Sequence, residues 1–254
     1  MCSSARCELP AKHTFMSKKT LFFSIVLIIA ATFIGSEILT KDIEYQAPIP
    51  EQTNLITEIV PEEEWIISSY DAMMRRIGEE EGQDWLLMSA IAYSESRFRS
   101  DLTSNRGAIG LMQIMPIVGR QFNINKEQIA DPETNIRLAG KLLRQIEKTL
   151  KIHPSTPAND RLSIILACYN GGIGHVCDAR RLAKSNGEDY NSWEVVARYL
   201  QMKADPAIYE SELVRYGKFT GSRQTEAYVR EVMHRYDIYR NLIDNGADMV
   251  AQVK

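Results

Sequence analysis

No segment of this chain alternates apolar and polar residues for long enough to make a half-buried strand. Apolar residues recur instead at spacings of three and four through most of it. That pattern sets the expected fold class: all-α, with little or no β-sheet. The most informative helical stretch lies within residues 86–116. Asp84 is a candidate N-cap for it. Met88, Ile91 and Ala92 precede Glu95 at helical spacings and share its face. A face that apolar points inward, so Glu95 falls where packed core meets a surface or cleft. A carboxyl group there loses hydration, its charged form is disfavoured, and it keeps a proton to higher pH. Such a group can serve as a general acid. The competing reading has Glu95 capping the helix end or pairing with Arg97 or Arg99. Gly107 and Gly110 then permit close backbone approach or positive φ. The run Leu111-Met112-Gln113-Ile114-Met115 is expected to start a second helix that Pro116 interrupts or kinks. Gln113, polar within it, needs a partner if buried.

Elsewhere, residues 62–82 read as a helix with acidic residues at its start, Trp65, Met73, Met74 and Ile77 on one side, and Gly82 as its stop. Residues 100–106 form a polar connection carrying Ser104, which reads as a turn hydroxyl. Residues 125–132 read as a loop, with Asp131 capping the next helix and Pro132 in its first turn. Ile136, Leu138, Leu142, Leu143 and Ile146 carry that amphipathic helix toward Leu150, a structural segment with no chemistry assigned. Residues 153–157 make a break. Residues 160–169 are apolar all round, hence buried, and deliver Tyr169 and Asn170 to Gly171, Gly172 and Gly174. A glycine-rich turn there leaves room for a ligand, and the two polar tips can hydrogen-bond sugar hydroxyls or amides. The plainer alternative is a glycine C-cap with Asn170 left-handed. Residues 192–200 form a helix anchored by Trp193, and residues 225–243 a last long one with Tyr228, Val232, Tyr236 and Tyr239 along one side.

The composition excludes some classes. With 30 basic against 33 acidic residues and net charge −3, the chain has no electrostatic case as a nucleic-acid binder. Cys2, Cys7, Cys168 and Cys177 show no metal-ligand spacing with histidines and are too few for a disulfide scaffold. Cys168 is expected as a small buried hydrophobe; a bridge to Cys177 would need specific geometry. Lys18-Lys19 precede an apolar run over 21–34, the form of a secretory signal. The run falls short of the ~18 residues of a full span. Counting Gly35 and Ser36, it can also stay as an uncleaved anchor. Met16 is an alternative start to Met1. The organisation expected is a basic N-terminal region (1–17), a signal peptide or membrane anchor (18–36), a proline-bearing linker (37–61), a folded domain (62–245) and a flexible tail (246–254).

Four motifs in order carry a family resemblance. Glu95-Ser96 with Phe98, then Gly107-Ala108-Ile109-Gly110-Leu111-Met112-Gln113-Ile114-Met115-Pro116, resembles the opening of the lytic transglycosylase family, the lysozyme-like SLT domain. Asp131-Pro132 with Asn135-Ile136 and Gly140 resembles its middle motif. Ala167-Cys168-Tyr169-Asn170-Gly171-Gly172-Ile173-Gly174 and Gln224-Thr225-Glu226-Ala227-Tyr228-Val229 resemble its last two. Cys168 and Gly171 replace alanines of the family pattern, and Gln224 stands where it more often has Glu. The part from Tyr216-Gly217 to Tyr236 is most similar to membrane-bound members. The resemblance implies a lysozyme-like helical domain and cleavage of the bond between N-acetylmuramic acid and N-acetylglucosamine in peptidoglycan, leaving 1,6-anhydro ends. It implies Glu95 as the single acid and base, with Ser104, Met112, Gln113, Tyr169, Asn170 and Tyr228 binding substrate or orienting Glu95. It implies no metal or cofactor, peptidoglycan strands as partner, a monomer, and a place in the cell envelope, with possible attachment through residues 21–36. A muramidase acting on the same bond, or a non-catalytic peptidoglycan-binding protein, would share much of this pattern. Of the nearby carboxylates, Asp131 and Glu226 read as cap and helix surface, and Asp101 is left as a candidate second group.

Overall fold

The computed structural model describes residues 67–252, with side chains as far as 245. The apolar N-terminal run, Trp65, Cys2 and Cys7 lie outside these residues. Among the described residues the protein is helical, and the only extended pairings are isolated bridges of Ile109 with Thr103 and Ile114. No described helix is long and apolar enough to cross a membrane.

Helix α1 (Asp71–Glu81) begins later than residue 62. The reason is local: the Asp71 carboxylate accepts from the N–H groups of Ile67 (2.6 Å) and Ser68 (3.0 Å), folding a turn ahead of the helix. Gly82 ends α1 at φ 65°. Helix α2 (Trp85–Ser96) is capped by Asp84, whose Oδ1 accepts from Leu86 N at 2.8 Å. Arg97 stops it in the left-handed region at φ 55°. Eight of its twelve residues are buried, so it is a core helix with Glu95 in its final turn.

The Leu111–Met115 run departs from expectation: it forms no helix. Gly110 and Gln113 take φ of 78° and 47°, which no helix tolerates, and Ile109 and Ile114 exchange backbone hydrogen bonds at 3.0 and 2.9 Å. Pro116 therefore starts a helix, α3 (Pro116–Gln121), instead of kinking one. Residues 125–132 likewise hold more than a loop. Asn125 and Gln128 close a capping box around the short α4 (Lys126–Ile129). Asp131 then caps α5 (Pro132–Leu150), accepting from Thr134 N at 2.9 Å.

α6 (Ala158–Ala167) is buried along most of its length and passes without a turn into a π-helical segment (Cys168–Gly172) and then α7 (Ile173–Ser185). The sequence reading placed a turn here and α7 nowhere. Asn170 is not left-handed; the break falls at Gly172, φ 96°. Nor do the glycines leave open space. A Cβ on Gly171 would lie 2.8 Å from Thr225 Oγ1, and one on Gly174 would lie 2.6 Å from the Tyr216 ring. These glycines let the 216–225 stretch lie against the helix. α8 (Trp193–Met202) and α9 (Pro206–Tyr209) lead to α10 (Ser222–Gln252), which packs along α2 and α6 and continues through the residues first assigned to a tail. Cys168 and Cys177 are both free thiols, so the bridge weighed above is not formed.

Candidate active site

Three pieces of backbone converge on Glu95: the last turn of α2, the π segment, and the second turn of α10. The Glu95 side chain keeps a partial opening to solvent while protein crowds its carboxyl. Burial pushes its pKa up to about 7, with a contribution from the Glu231 carboxylate; the Tyr228 hydroxyl pulls the other way. The cap and ion-pair readings do not describe it: the C-terminal end of α2 is closed by Arg97 N–H on Tyr93 O, Arg97 bridges to Glu231 at 3.1 Å, and Arg99 Nε donates to Ser96 O at 3.2 Å.

Tyr228 comes from the face of α10 that packs on α2, and its ring is buried. Its hydroxyl is enclosed without a formed hydrogen bond, although it sits near enough to Glu95 for each to act on the other's titration. A phenol this buried, beside a carboxyl, is held well above its usual pKa and keeps its proton. Tyr169 shares the site, its pKa raised by burial and then by the nearby Glu95; its hydroxyl donates to Met112 O at 2.8 Å.

The loop beneath these tyrosines is held from below. Asn135, fully buried on α5, accepts from Met112 N (2.8 Å) and donates to Ile109 O (2.8 Å) and Ile129 O (3.0 Å). Gly110 must be glycine, since a Cβ there would meet Asn135 Nδ2 at 2.6 Å. In the sequence Asn135 stands in the middle motif on a helix with no chemistry assigned. The available signal was an amide on an otherwise apolar face. Asn135→Ala is expected to take their side-chain partner from Met112 N and Ile129 O, while Ile109 O keeps Ile114 N, and to cost about 2–4 kcal/mol in a urea titration.

The remaining predicted residues take mixed positions. Met112 is fully buried, so its side chain packs the floor, while its backbone N donates to Asn135 Oδ1 and its O accepts from the Tyr169 hydroxyl. Gln113 Nε2 donates to Gly110 O (2.9 Å) and Leu102 O (3.2 Å), which supplies the partners a buried amide needs and makes it a brace for its own loop. Ser104 is the turn hydroxyl: its Oγ accepts from Ala108 N at 2.9 Å, leaving its proton free to donate. Asn170 Oδ1 accepts from Thr225 Oγ1 at 3.0 Å, tying the π segment to the start of α10. Glu226 bonds Gln201 and Asp131 caps α5, as read from the sequence. The carboxylate that does reach Glu95 electrostatically is Glu231, which the sequence reading did not single out.

Among the described residues the protein is thus an all-helical domain that holds, beside a buried tyrosine hydroxyl, a half-buried carboxyl with its pKa pushed up to about 7. The family model described as the transglycosylase SLT domain matches residues 72–192. Over that stretch the chain matches the SLT domain, and Glu95, Ser104, Met112, Gln113, Tyr169 and Asn170 all fall inside it. Proteins named membrane-bound lytic murein transglycosylase F are similar along more of the chain. The one from Alcanivorax borkumensis is 35% identical over 169 residues, 66% of this chain and 35% of the relative. The one from Marinobacter nauticus is 32% identical over 178 residues, 70% of this chain and 34% of the relative. The chain thus spans about a third of the length of the relatives it matches. Among solved structures, an inactive mutant of lytic transglycosylase Slt from Pseudomonas aeruginosa is 25% identical with TM-score 0.47, covering 69% of this chain and 24% of that one. The 70 kDa soluble lytic transglycosylase of Escherichia coli is also 25% identical, with TM-score 0.45, covering 68% of this chain and 24% of that one.

Proposed function

We propose that the protein is a peptidoglycan lytic transglycosylase, cleaving the β-1,4 bond between N-acetylmuramic acid and N-acetylglucosamine with Glu95 as sole acid and base. One observation carries the reading: Glu95 is crowded by protein and titrates at about 7, so it is partly protonated at neutral pH and can both give and accept a proton. Its carboxylic O–H protonates the glycosidic oxygen as that oxygen leaves the anomeric carbon. The charge developing on that carbon is met by the muramic acetamido oxygen. Glu95, now a carboxylate, takes the proton of the same sugar's 6-hydroxyl, whose oxygen bonds the anomeric carbon and closes the 1,6-anhydro ring. Protons balance, and Glu95 ends as it began. Most glycosidases use two carboxyl groups that flank the bond; here the substrate supplies the second function. Tyr228 orients Glu95. Ser104, Gln113 and Asn170 hold sugar groups with the atoms their structural bonds leave free, and Tyr169 keeps Met112 O in place. The protein works in the cell envelope on glycan strands, with residues 21–36 as its signal or anchor, and as a monomer.

The decisive measurement is mass spectrometry of products released from purified sacculi. The anhydro product is one water lighter than its hydrolysed counterpart. Release of hydrated ends alone would make the protein a muramidase, and binding without release would make it a peptidoglycan-binding protein.

A further inference from the structure

Thr225 stands one turn before Tyr228 on α10, so the helix face that carries the site tyrosine also brings a hydroxyl to the π segment. Thr225 is 1% exposed, and its Oγ1 donates to Asn170 Oδ1 at 3.0 Å. Gly171 makes this approach possible. It stands where the family pattern has alanine, and a Cβ there would lie 2.8 Å from Thr225 Oγ1 and 3.3 Å from Thr225 Cγ2. The direction of the bond is set by what the hydroxyl can reach. Asn170 Oδ1 is its one acceptor among the described residues, and Thr225 is too buried for water to serve instead. Turning the amide over would leave that O–H enclosed with nothing to accept it, which is costly. Asn170 is therefore held with its carbonyl inward. Its Nδ2 donates to no group among the described residues and is not sealed off from solvent.

We propose that Thr225 is a positioning residue for substrate selection: it fixes the Asn170 amide so that a ligand meets a donor alone there, and the site selects an acetamido carbonyl over the ammonium of a de-N-acetylated sugar. The inference deepens the proposed function and rests on its placing of Asn170 against the glycan. The selection follows from which groups donate and which accept. An acetamido carbonyl only accepts, and the two Nδ2 hydrogens meet that need. An ammonium only donates, and it would face two N–H groups with no acceptor between them. Thr225 itself touches no sugar; it acts through Asn170. A methyl group in place of its hydroxyl removes the group that holds the carbonyl inward. The amide is then free to turn and offer its oxygen to a donor, and the discrimination falls.

The test is the binding of two probes to the full chain, followed by NMR titration: tetra-N-acetylchitotetraose and the corresponding glucosamine tetramer. Parent protein should prefer the acetylated tetramer, and Thr225→Val should lower that preference roughly three- to tenfold. Thr225→Ser, which keeps the hydroxyl, should restore it. Asn170→Asp, which has no donor at neutral pH, should remove the preference, and Thr225→Val added to it should change nothing further. Gly171→Ala, which crowds Thr225 Oγ1, should act in the same direction as Thr225→Val and decides the matter alone if that variant does not fold. Comparing variants cancels the general attraction of ammonium groups to the protein's carboxylates. A bond of purely structural use would lower the melting temperature and leave the ratio of the two affinities alone. An unchanged ratio in the variants, or no preference in the parent, overturns the inference. The proposed function is judged separately: absence of anhydro ends among the parent's products would sink it, whatever the binding ratios show.

Discussion

Glu95→Gln is expected to lower release of anhydro products from sacculi by at least ~10²-fold, and up to ~10⁴-fold, while the protein still folds and binds. The amide keeps the shape of the acid and loses its proton. The same variant should be more stable than the parent in alkaline solution. Glu95 titrates at about 7 in the folded protein against 4.5 for a free glutamate. Between these values the unfolded chain gives up a proton that the folded one retains. The stability due to this group is full below about 4.5 and declines as pH rises through about 7. That shift corresponds to at most about 3 kcal/mol in the deprotonated protein. The gap between Glu95→Gln and parent should therefore open from pH 5 to 8 in denaturant titrations. Parent activity should fall over the upper part of the same range as the acid loses its proton. A gap that stays constant with pH would mean that Glu95 is not the buried acid described here.

The parts of this site read from the sequence are those that local chemistry dictates. Asp84, Asp131 and Pro132 announce helix starts through the backbone N–H groups they satisfy or do without, and each lies where expected. Glu95 was legible because three apolar neighbours fix which way its face points. What failed had causes beyond the local sequence. The Leu111–Met115 run looks helical by composition, but Asn135, more than twenty residues away in sequence, accepts from Met112 N and donates to Ile109 O and so holds the loop open. The glycines after Asn170 look like a turn, yet Tyr216, Phe219 and Thr225 fill the space beside them. Glu231 shows no motif; only the docking of α10 on α2 brings it to Glu95. Pairings across the fold are what periodicity cannot supply.

Lys203→Met is expected to cost about 3–5 kcal/mol, although Lys203 lies outside the candidate site. Lys203 and Asp178 are both fully buried and meet at 2.7 Å. Burial alone would raise the pKa of Asp178, but the Lys203 ammonium and the N–H of Arg215 outweigh it and hold the carboxylate below its usual range. Removing Lys203 leaves that charge with Arg181 and two backbone donors, Arg215 N at 3.0 Å and Tyr216 N at 2.9 Å. Asp178→Ala should be worse, since it frees those donors as well and strands a buried ammonium. The loss should reach Asn170, because Lys203 O accepts from Phe219 N at 3.1 Å and the same stretch carries Tyr216 against Gly174. His175 completes the cluster, its Nδ1 3.0 Å from Lys203 Nζ. Burial, then the Lys203 charge, pull its pKa down from 6.5 to about 4. With a depressed pKa, its share of stability is present above 6.5 and lost as pH falls toward 4. Parent protein should thus weaken on acidification over that interval in urea titrations, and Lys203→Met should weaken less steeply, because His175 then gains a proton without facing an ammonium. Equal acid slopes in the two proteins would show that His175 does not feel Lys203.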